Sequence, residues 1–397
     1  MDKEILNDKI NKCFNLCELV SDSTKPNIYG RLYNQIYGSS DNYVHFYPRT
    51  LVVQLTSGCN LRCKHCFFFE NQEKYNIQKD LSKEKIIEQI KYFVEEVNIL
   101  SCTLTGGEIF TSSVLFEVIR YLKKHNVSLK LITNGTLIDE DIAKRLGELL
   151  NPKFDIIQIS LDGAIKETND KTRGNGAFDK VLDGIKLLVQ NNCNIELGFT
   201  INAFNVNEIA DLYLLAKKNG VKKINYGRFT QEYESQSFLK PNIEDIFINV
   251  AKLSDVYDGI VKLRLPCITV PDYLRFEIGR KLMDKKLKQD NLPVMNLKCK
   301  PHDEQVTMFA NGNISLCYDC TVKDVFIGNI SESSFDEIWN NRFKSHIFQA
   351  RMLSEHSCKN CKYVSICKAG CPYRAYVNYG LTKMPGYDCS YYKTLQG

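Results

Sequence analysis

The sequence predicts an α/β protein built on a parallel sheet, followed by a small cysteine-rich region held together by metal rather than by a large core. Three observations predict it. From residue 51 a short β-branched or apolar run followed by a longer stretch of helical period recurs six times, this alternation stops after residue 265, and the cysteines fall in spaced groups. Alternating strands and helices give right-handed crossovers, and six such units suit either a doubly wound sheet or a partial barrel.

The strand runs are Leu51 to Thr56, Ser101 to Thr105, Leu129 to Thr133, Ile156 to Leu161, Ile195 to Asn202 and Lys222 to Arg228. Ser82 can cap a first crossover helix whose Ile86, Ile90, Phe93, Val94 and Val97 share one face. Asp139 caps "EDIAKRLGELL", "AFDKVLDGIKLLVQ" follows the fourth run, and "NEIADLYLLAKKNG" ends on Gly220 as helices commonly do. In either architecture ligands bind at the carboxyl ends of the strands. The polar segments "TSGC", "TGGE", "TNG" and "SLDG" follow the first four strands there. A charged helix near "RFEIGRKLMDKKLKQD" then leads through Pro293 into the cysteine-rich region.

The 397 residues, 44% of them hydrophobic, suffice for two or three domains. The amino terminus mixes charges through its apolar positions, and no segment is long and apolar enough for a membrane helix, so a cytoplasmic location is expected. Such a compartment keeps thiols reduced, and sixteen cysteines in it argue for metal or redox chemistry rather than disulfides. The net charge of +5 is spread along the chain with no basic run interleaved with aromatics, which argues against nucleic acid as partner. Cys102 and Cys193 read as small apolar residues, Cys267 is unassigned, and Cys13 and Cys17 read as packed thiols. No two of the six histidines stand at i, i+4, which argues against a separate histidine-based metal centre.

"SGCNLRCKHC" places Cys59, Cys63 and Cys66 on the loop leaving the first strand. A structural zinc site needs a fourth ligand, for which His65 is the nearby candidate, whereas a four-iron cluster on three thiolates keeps one iron open for catalysis. This C-x3-C-x2-C spacing after a first strand resembles the radical S-adenosylmethionine (SAM) superfamily. The resemblance implies a partial (β/α)6 TIM-type barrel in which the open iron chelates SAM, and one electron cleaves the sulfonium to a 5′-deoxyadenosyl radical. "TLTGGEIF" resembles the family's glycine-glycine-glutamate motif, with Ile109 where a proline is usual. Gly106 and Gly107 would let backbone approach a ligand closely, and Glu108 would accept the SAM ammonium group. By the same resemblance Ser160 faces the SAM ribose, Asp162 belongs to the same segment, Arg173 pairs the methionine carboxylate, and Asn134 of "TNG" joins the SAM site.

Cys299, Gly312 and Cys317, then Cys358, Cys361, Cys367, Cys371 and Cys389, resemble the SPASM domain, which houses two auxiliary four-iron clusters. "IGNISESSFDEIWNN" strengthens the match, and Trp339 within it reads as core. The family pattern implies a distal cluster on Cys358, Cys361, Cys367 and Cys389. A proximal one would take Cys299, Cys317 and Cys371, with Cys320 as its fourth ligand or with an open iron. A zinc ribbon is the competing reading for the distal four cysteines. The resemblance thus implies an amino-terminal extension over 1–48, a radical SAM partial barrel over 49–265, a linker over 266–298 and a SPASM domain over 299–397. Its cofactors would be three [4Fe-4S] clusters and SAM.

Members of this grouping mostly modify peptides, so the expected function is a maturase that crosslinks or oxidises a precursor peptide, with a flavodoxin or ferredoxin as external one-electron donor. The extension is too short for a winged leader-binding domain, so any leader peptide would be read elsewhere. One alternative is a small-molecule enzyme acting, for example, on a tetrapyrrole side chain. A second is formylglycine formation in sulfatases. Against it, the sulfatase maturases carry an acid directly after the glycine-x4-cysteine cysteine, where this chain has Tyr318 followed by Asp319, which stand as weak catalytic candidates. A non-enzymatic iron-sulfur or zinc protein is the remaining alternative.

Overall fold

Strand order decides between the two architectures. The computed structural model describes residues 3–23, 47–66, 80–229, 234–265, 269–289, 304–321, 323–349, 356–367, 369–380 and 389. The six expected strands are β1 (Thr50–Gln54), β2 (Ser101–Thr105), β3 (Ser128–Thr133), β4 (Ile156–Ser160), β5 (Ile195–Ile201) and β6 (Lys223–Arg228). A short β7 (Lys262–Arg264) pairs in parallel with β6, and β8 (Gln305–Met308) pairs in parallel with β1. Two antiparallel strands, β9 (Asn313–Ser315) and β10 (Gly328–Asn329), extend that edge, giving the order β10-β9-β8-β1-β2-β3-β4-β5-β6-β7. Because β1 to β7 stand in chain order, right-handed crossovers put their helices on one face, without the reversal a doubly wound sheet requires. The sheet is the singly wound, TIM-like kind, left open at its edges.

Helix α1 (Lys3–Ser23) precedes the sheet, and the crossovers hold α2 (Lys83–Glu95), α3 (Leu115–Lys124), α4 (Glu140–Leu149), α5 (Lys166–Arg173), α6 (Ala177–Gln190), α7 (Ile209–Lys218) and α8 (Ile243–Val256). The caps follow the sequence: Ser82 accepts Lys85 N–H at 3.3 Å and Asp139 accepts Ile142 N–H at 2.8 Å. Gly220, at φ +72°, ends α7, and Ile86, Ile90, Phe93, Val94 and Val97 of the first crossover are buried together.

The strands alternate, and that alternation builds the site. Leu104, Leu131, Ile159, Leu197 and Phe199 lie on the helix-covered face and are fully buried. On the other face, strand register aligns Gln54 with Thr105, Thr103 with Lys130, and Gln158 with Glu196. The concave side of the sheet is therefore polar, as a lumen that admits a polar ligand must be, and the convex side carries the core.

Beyond β7 come α9 (Glu277–Gln289), α10 (Phe335–Asn341) and α11 (Pro372–Tyr379). In the stretch expected as a linker, α9 packs beside α1, with Met283 buried. The carboxyl-terminal region also shares the main core. Trp339 is fully buried, Phe335 stacks on it at 5.8 Å, and Phe335 meets Phe93 of α2 at 4.6 Å. Among the described residues two small apolar clusters lie apart from that core, one around Cys320 and one around Cys358, while Tyr363, Cys361 and Ile366 join it. Cys13 is buried against the Tyr273 hydroxyl at 3.7 Å, a packed thiol, and Cys102 is buried in β2. Cys267 and Pro293 lie outside the described residues.

Low in the lumen, Glu196 meets Lys130 at 2.7 Å and Lys223 at 2.6 Å, with the carboxylate 1% exposed. Burial raises the Glu196 pKa, but the two lysines outweigh it and hold the carboxyl below its ordinary 4.5. Glu196→Gln is expected to lower unfolding free energy by about 1–3 kcal/mol, read from the denaturant midpoint. The wild-type advantage should be complete above pH ~4.5 and vanish as pH falls through the lower folded-state value, so that the two proteins converge in acid.

Candidate active site

The loop after β1 is held by its backbone. Asp80 accepts the Ser57 N–H at 2.8 Å and the Thr56 hydroxyl at 3.1 Å, while Gly107 and Glu108 donate their N–H groups to Thr56 and Gly58 carbonyls at 2.9 and 2.8 Å. A Cβ on Gly107 would lie 2.2 Å from the Gly58 oxygen, and one on Gly106 would lie 2.7 Å from the Thr56 oxygen. The glycines were expected to admit a ligand. What they admit here is the loop itself, pressed onto the turn after β2.

That contact carries Cys59, Cys63 and Cys66, all partly buried. Cys59 Sγ accepts the Leu61 N–H at 3.4 Å and faces Asn134 Nδ2 at 3.8 Å, and Lys64 N–H is tied to the Thr172 carbonyl at 3.0 Å. Burial raises the Cys59 thiol and pushes Cys63 up to about 11, so a metal binding here must displace protons.

Glu108 is 1% exposed, and burial pushes its carboxyl above the usual range against the pull of three donors. Those donors are the Thr133 hydroxyl at 2.6 Å and the Phe110 N–H at 3.2 Å on Oε1, and the Asn134 N–H at 2.6 Å on Oε2. A carboxylate has roughly four lone-pair sites, so Glu108 keeps room for one more donor such as an ammonium group.

Ser160 ends β4, and Asp162, just beyond it, is wholly buried. Asp162 accepts the Thr200 N–H at 2.7 Å and lies 2.8 Å from Arg173 Nη2 and 3.3 Å from His65 Nε2. The Arg173 approach is a buried charge contact. Burial lowers the His65 pKa despite Asp162, which favours the neutral ring, and the carboxylate 3.3 Å from Nε2 favours the tautomer with the proton on that nitrogen. Its Nδ1 acceptor and the Nε donor of Arg173 are buried without partners beside the thiols. Sequence reading considered His65 only as a fourth ligand; the fold gives it to Asp162, which lies far off in sequence. Asp80 was missed altogether, since a lone aspartate before a helix gives no signal of its own.

The second group of cysteines comes from the carboxyl-terminal region. Cys320 is buried beside Cys317 and Cys371, and Cys358, Cys361, Cys367 and Cys389 lie close enough to raise one another's pKa, Cys358 and Cys367 each reaching about 12 chiefly through burial. Cys299 lies outside the described residues. Tyr318 spans the gap: its hydroxyl accepts from Thr105 Oγ1 at 3.5 Å, its ring stacks parallel to Phe309, and Cys66 is near enough to disfavour its phenolate. Burial is the main cause that takes this phenol to about 12, so it stays protonated; Asp319 beside it is exposed.

Among the described residues no three His, Cys, Asp or Glu side chains converge where a single metal ion would sit. An iron-sulfur cluster asks for a looser ring, because each thiolate binds a separate iron. Three thiols with an unmet donor and an unmet acceptor beside them fit a cluster completed by a ligand that carries both kinds of group, as SAM does.

Comparison with known proteins agrees. Residues 53–226 match the Radical SAM superfamily and residues 299–362 match the SPASM iron-sulfur cluster-binding domain. An AdoMet-dependent heme synthase of Methanosarcina barkeri is 29% identical over 84% of this chain and 93% of its own. A cysteine-type anaerobic sulfatase-maturating enzyme of Clostridium novyi is 27% identical over 81% and 87%. The crystal structure of Streptococcus suis SuiB bound to precursor peptide SuiA superposes with a TM-score of 0.62 at 15% identity, covering 87% of this chain and 76% of SuiB, a likeness of fold.

Gly107→Ala should leave the protein folded but shift the Ser57–Gly58 backbone. The expected result is an unchanged circular-dichroism spectrum with loss of about four irons per chain after anaerobic reconstitution.

Proposed function

This chain is a radical SAM enzyme with a SPASM domain, and from that premise we propose that it modifies a precursor peptide by crosslinking or oxidising a residue. Cys59, Cys63 and Cys66 would hold the SAM-binding [4Fe-4S] cluster, Glu108 would take the SAM ammonium, and Arg173, steadied by Asp162, the methionine carboxylate. Gly106 and Gly107 seat the loop, Asn134 steadies Cys59, and Ser160 lines the approach to the ribose. Bound together, cluster and SAM supply one-electron cleavage of the sulfonium and hydrogen abstraction from a C–H bond. Two auxiliary clusters would sit on Cys299, Cys317, Cys320 and Cys371 and on Cys358, Cys361, Cys367 and Cys389. An external flavodoxin or ferredoxin would deliver the electron.

The observation that carries the peptide reading is the charge balance of the lumen. In the buried part of this face Lys130 and Lys223 are both paired to Glu196 and Arg173 lies against Asp162, while Lys262 and Arg264, on the same face at the β7 edge, are exposed. A neutral, hydrogen-bonding substrate suits such a lining better than a porphyrin with several carboxylates, whose burial would require uncompensated cations. The relative named as a sulfatase-maturating enzyme and the fold shared with peptide-bound SuiB support it. Action on a tetrapyrrole side chain is the second reading, favoured by the likeness to heme synthase.

Coexpression under anaerobic conditions with any short peptide encoded beside the gene should yield, for the true substrate, a peptide lighter by about two hydrogens per event, and Cys59→Ala should abolish the change. An untouched peptide, together with side-chain decarboxylation of iron-coproporphyrin III by the same protein, would replace this reading with the tetrapyrrole one.

A further inference from the structure

Two lysines converge on one aromatic ring at the rim of the barrel, beside the loop that bears the first three thiols. Phe204 follows β5, and its ring centroid lies 3.9 Å from the Lys171 ammonium of α5 and 5.6 Å from that of Lys64. The same ring meets Phe238, of the turn Glu234–Leu239 after β6, at 6.0 Å, and the Ala203 N–H donates to the Leu239 carbonyl at 2.9 Å, which ties the two segments together. Lys64 and Lys171 are exposed, as is Phe238 at 54%. Lys64 stands directly after Cys63 and two residues before Cys66, and its N–H on the Thr172 carbonyl fixes the loop against α5. The patch therefore adjoins the thiol loop on a side open to solvent, with Arg62 exposed on the same loop.

The two ammonium groups lie within about 10 Å of each other, one screening length at 0.1 M salt, so they repel. Among the described residues neither meets a carboxylate. Glu167, one turn before Lys171 on α5, makes no ion pair with it, Asp170 accepts the Gly176 and Phe178 N–H groups, and Glu208 accepts the Ala164 N–H. An exposed helical lysine ordinarily pairs with an acid at that spacing. Here the ring attracts each cation, and a carboxylate set between them would remove the repulsion that remains. The complementary surface is thus acidic, with an apolar spot to meet Phe204 and Phe238. The patch is small, as suits the transient redox encounters that bury the least area. Its exposure suits a partner that stays outside the lumen, and its position puts that partner next to two of the three thiols.

We infer that Lys64, Lys171, Phe204 and Phe238 form the docking surface for an acidic one-electron carrier protein. The carrier passes one electron to the cluster held by Cys59, Cys63 and Cys66, is itself oxidised by one electron and leaves; no atom is transferred. This rests on the external donor proposed above and not on what the enzyme modifies. Charges at the rim of an interface act mainly on association rate, so the surface governs how fast the carrier finds the thiol loop.

The test uses the reconstituted holoenzyme, a variant carrying both Lys64→Glu and Lys171→Glu, and a control carrying both Lys64→Arg and Lys171→Arg. Formation of 5′-deoxyadenosine from SAM is driven in parallel by reduced flavodoxin, by reduced ferredoxin and by dithionite, and binding of the oxidised carriers is read by calorimetry. At limiting carrier the glutamate variant should be slower than wild type by about tenfold or more and should bind the carrier correspondingly more weakly, while the arginine control keeps both. Raising salt from about 0.01 to about 0.15 M should slow the carrier-driven reaction of wild type and leave that of the glutamate variant nearly unchanged. Iron content and the dithionite-driven rate should be the same in all three proteins. A glutamate variant equal to wild type with the carriers would overturn the surface. So would a wild type that turns over with dithionite but with neither carrier, or an equal loss with dithionite, which would assign the lysines to the cluster loop or to substrate. If wild type holding its clusters cleaves no SAM with dithionite, the reading of function fails, and the calorimetry still tests the surface.

Discussion

The structure depends on one steric fact: the backbone after β1 lies so close to the turn after β2 that no side chain fits between them. With Gly58 O standing 2.2 Å from where a Gly107 Cβ would be, two hydrogen bonds lock the loop onto the turn. The position of the three thiols follows from that lock. The same turn aims Glu108 inward, and Glu108 in turn fastens the segment after β3 through Thr133 and Asn134. Three strand ends are thereby joined by one buried carboxylate and one glycine pair.

A second buried carboxylate, Asp162, organises the far wall. It gathers Arg173 and His65 while drawing an N–H from β5, so the cation expected to meet SAM is oriented from behind rather than left mobile. The polar concave face lies between these two anchors. Tyr318 reaches across it from the carboxyl-terminal region, and β8 is the reason it can, because pairing with β1 brings that region into the barrel's own sheet. Cys317, next to Tyr318, is thereby brought to the side of the lumen where Cys66 stands.

Much of this was legible in the sequence. The six strands came from β-branched runs, and Ser82, Asp139 and Gly220 marked helix ends through chemistry local to each residue. The thiol triplet and Glu108 were legible because their spacing is itself the signal. What escaped was nonlocal. The β1–β8 pairing joins residues some 250 positions apart, and neither strand carries a mark of its partner. Asp80, and His65 as the partner of Asp162, acquire meaning only once the chain has folded. Alternation of Thr103, Lys130, Gln158 and Glu196 with apolar neighbours was present in the letters. It reads as half-buried strand, and only the sheet shows that those residues share one lumen.

The central claim is that Cys59, Cys63 and Cys66 hold a cluster whose open iron SAM completes. Electron paramagnetic resonance of the reduced, reconstituted protein tests it most directly. Adding SAM should change the g values of one cluster signal, and the change should disappear in Cys63→Ala while the auxiliary signals persist. A spectrum indifferent to SAM, or a SAM-dependent change that survives Cys63→Ala, would contradict the account.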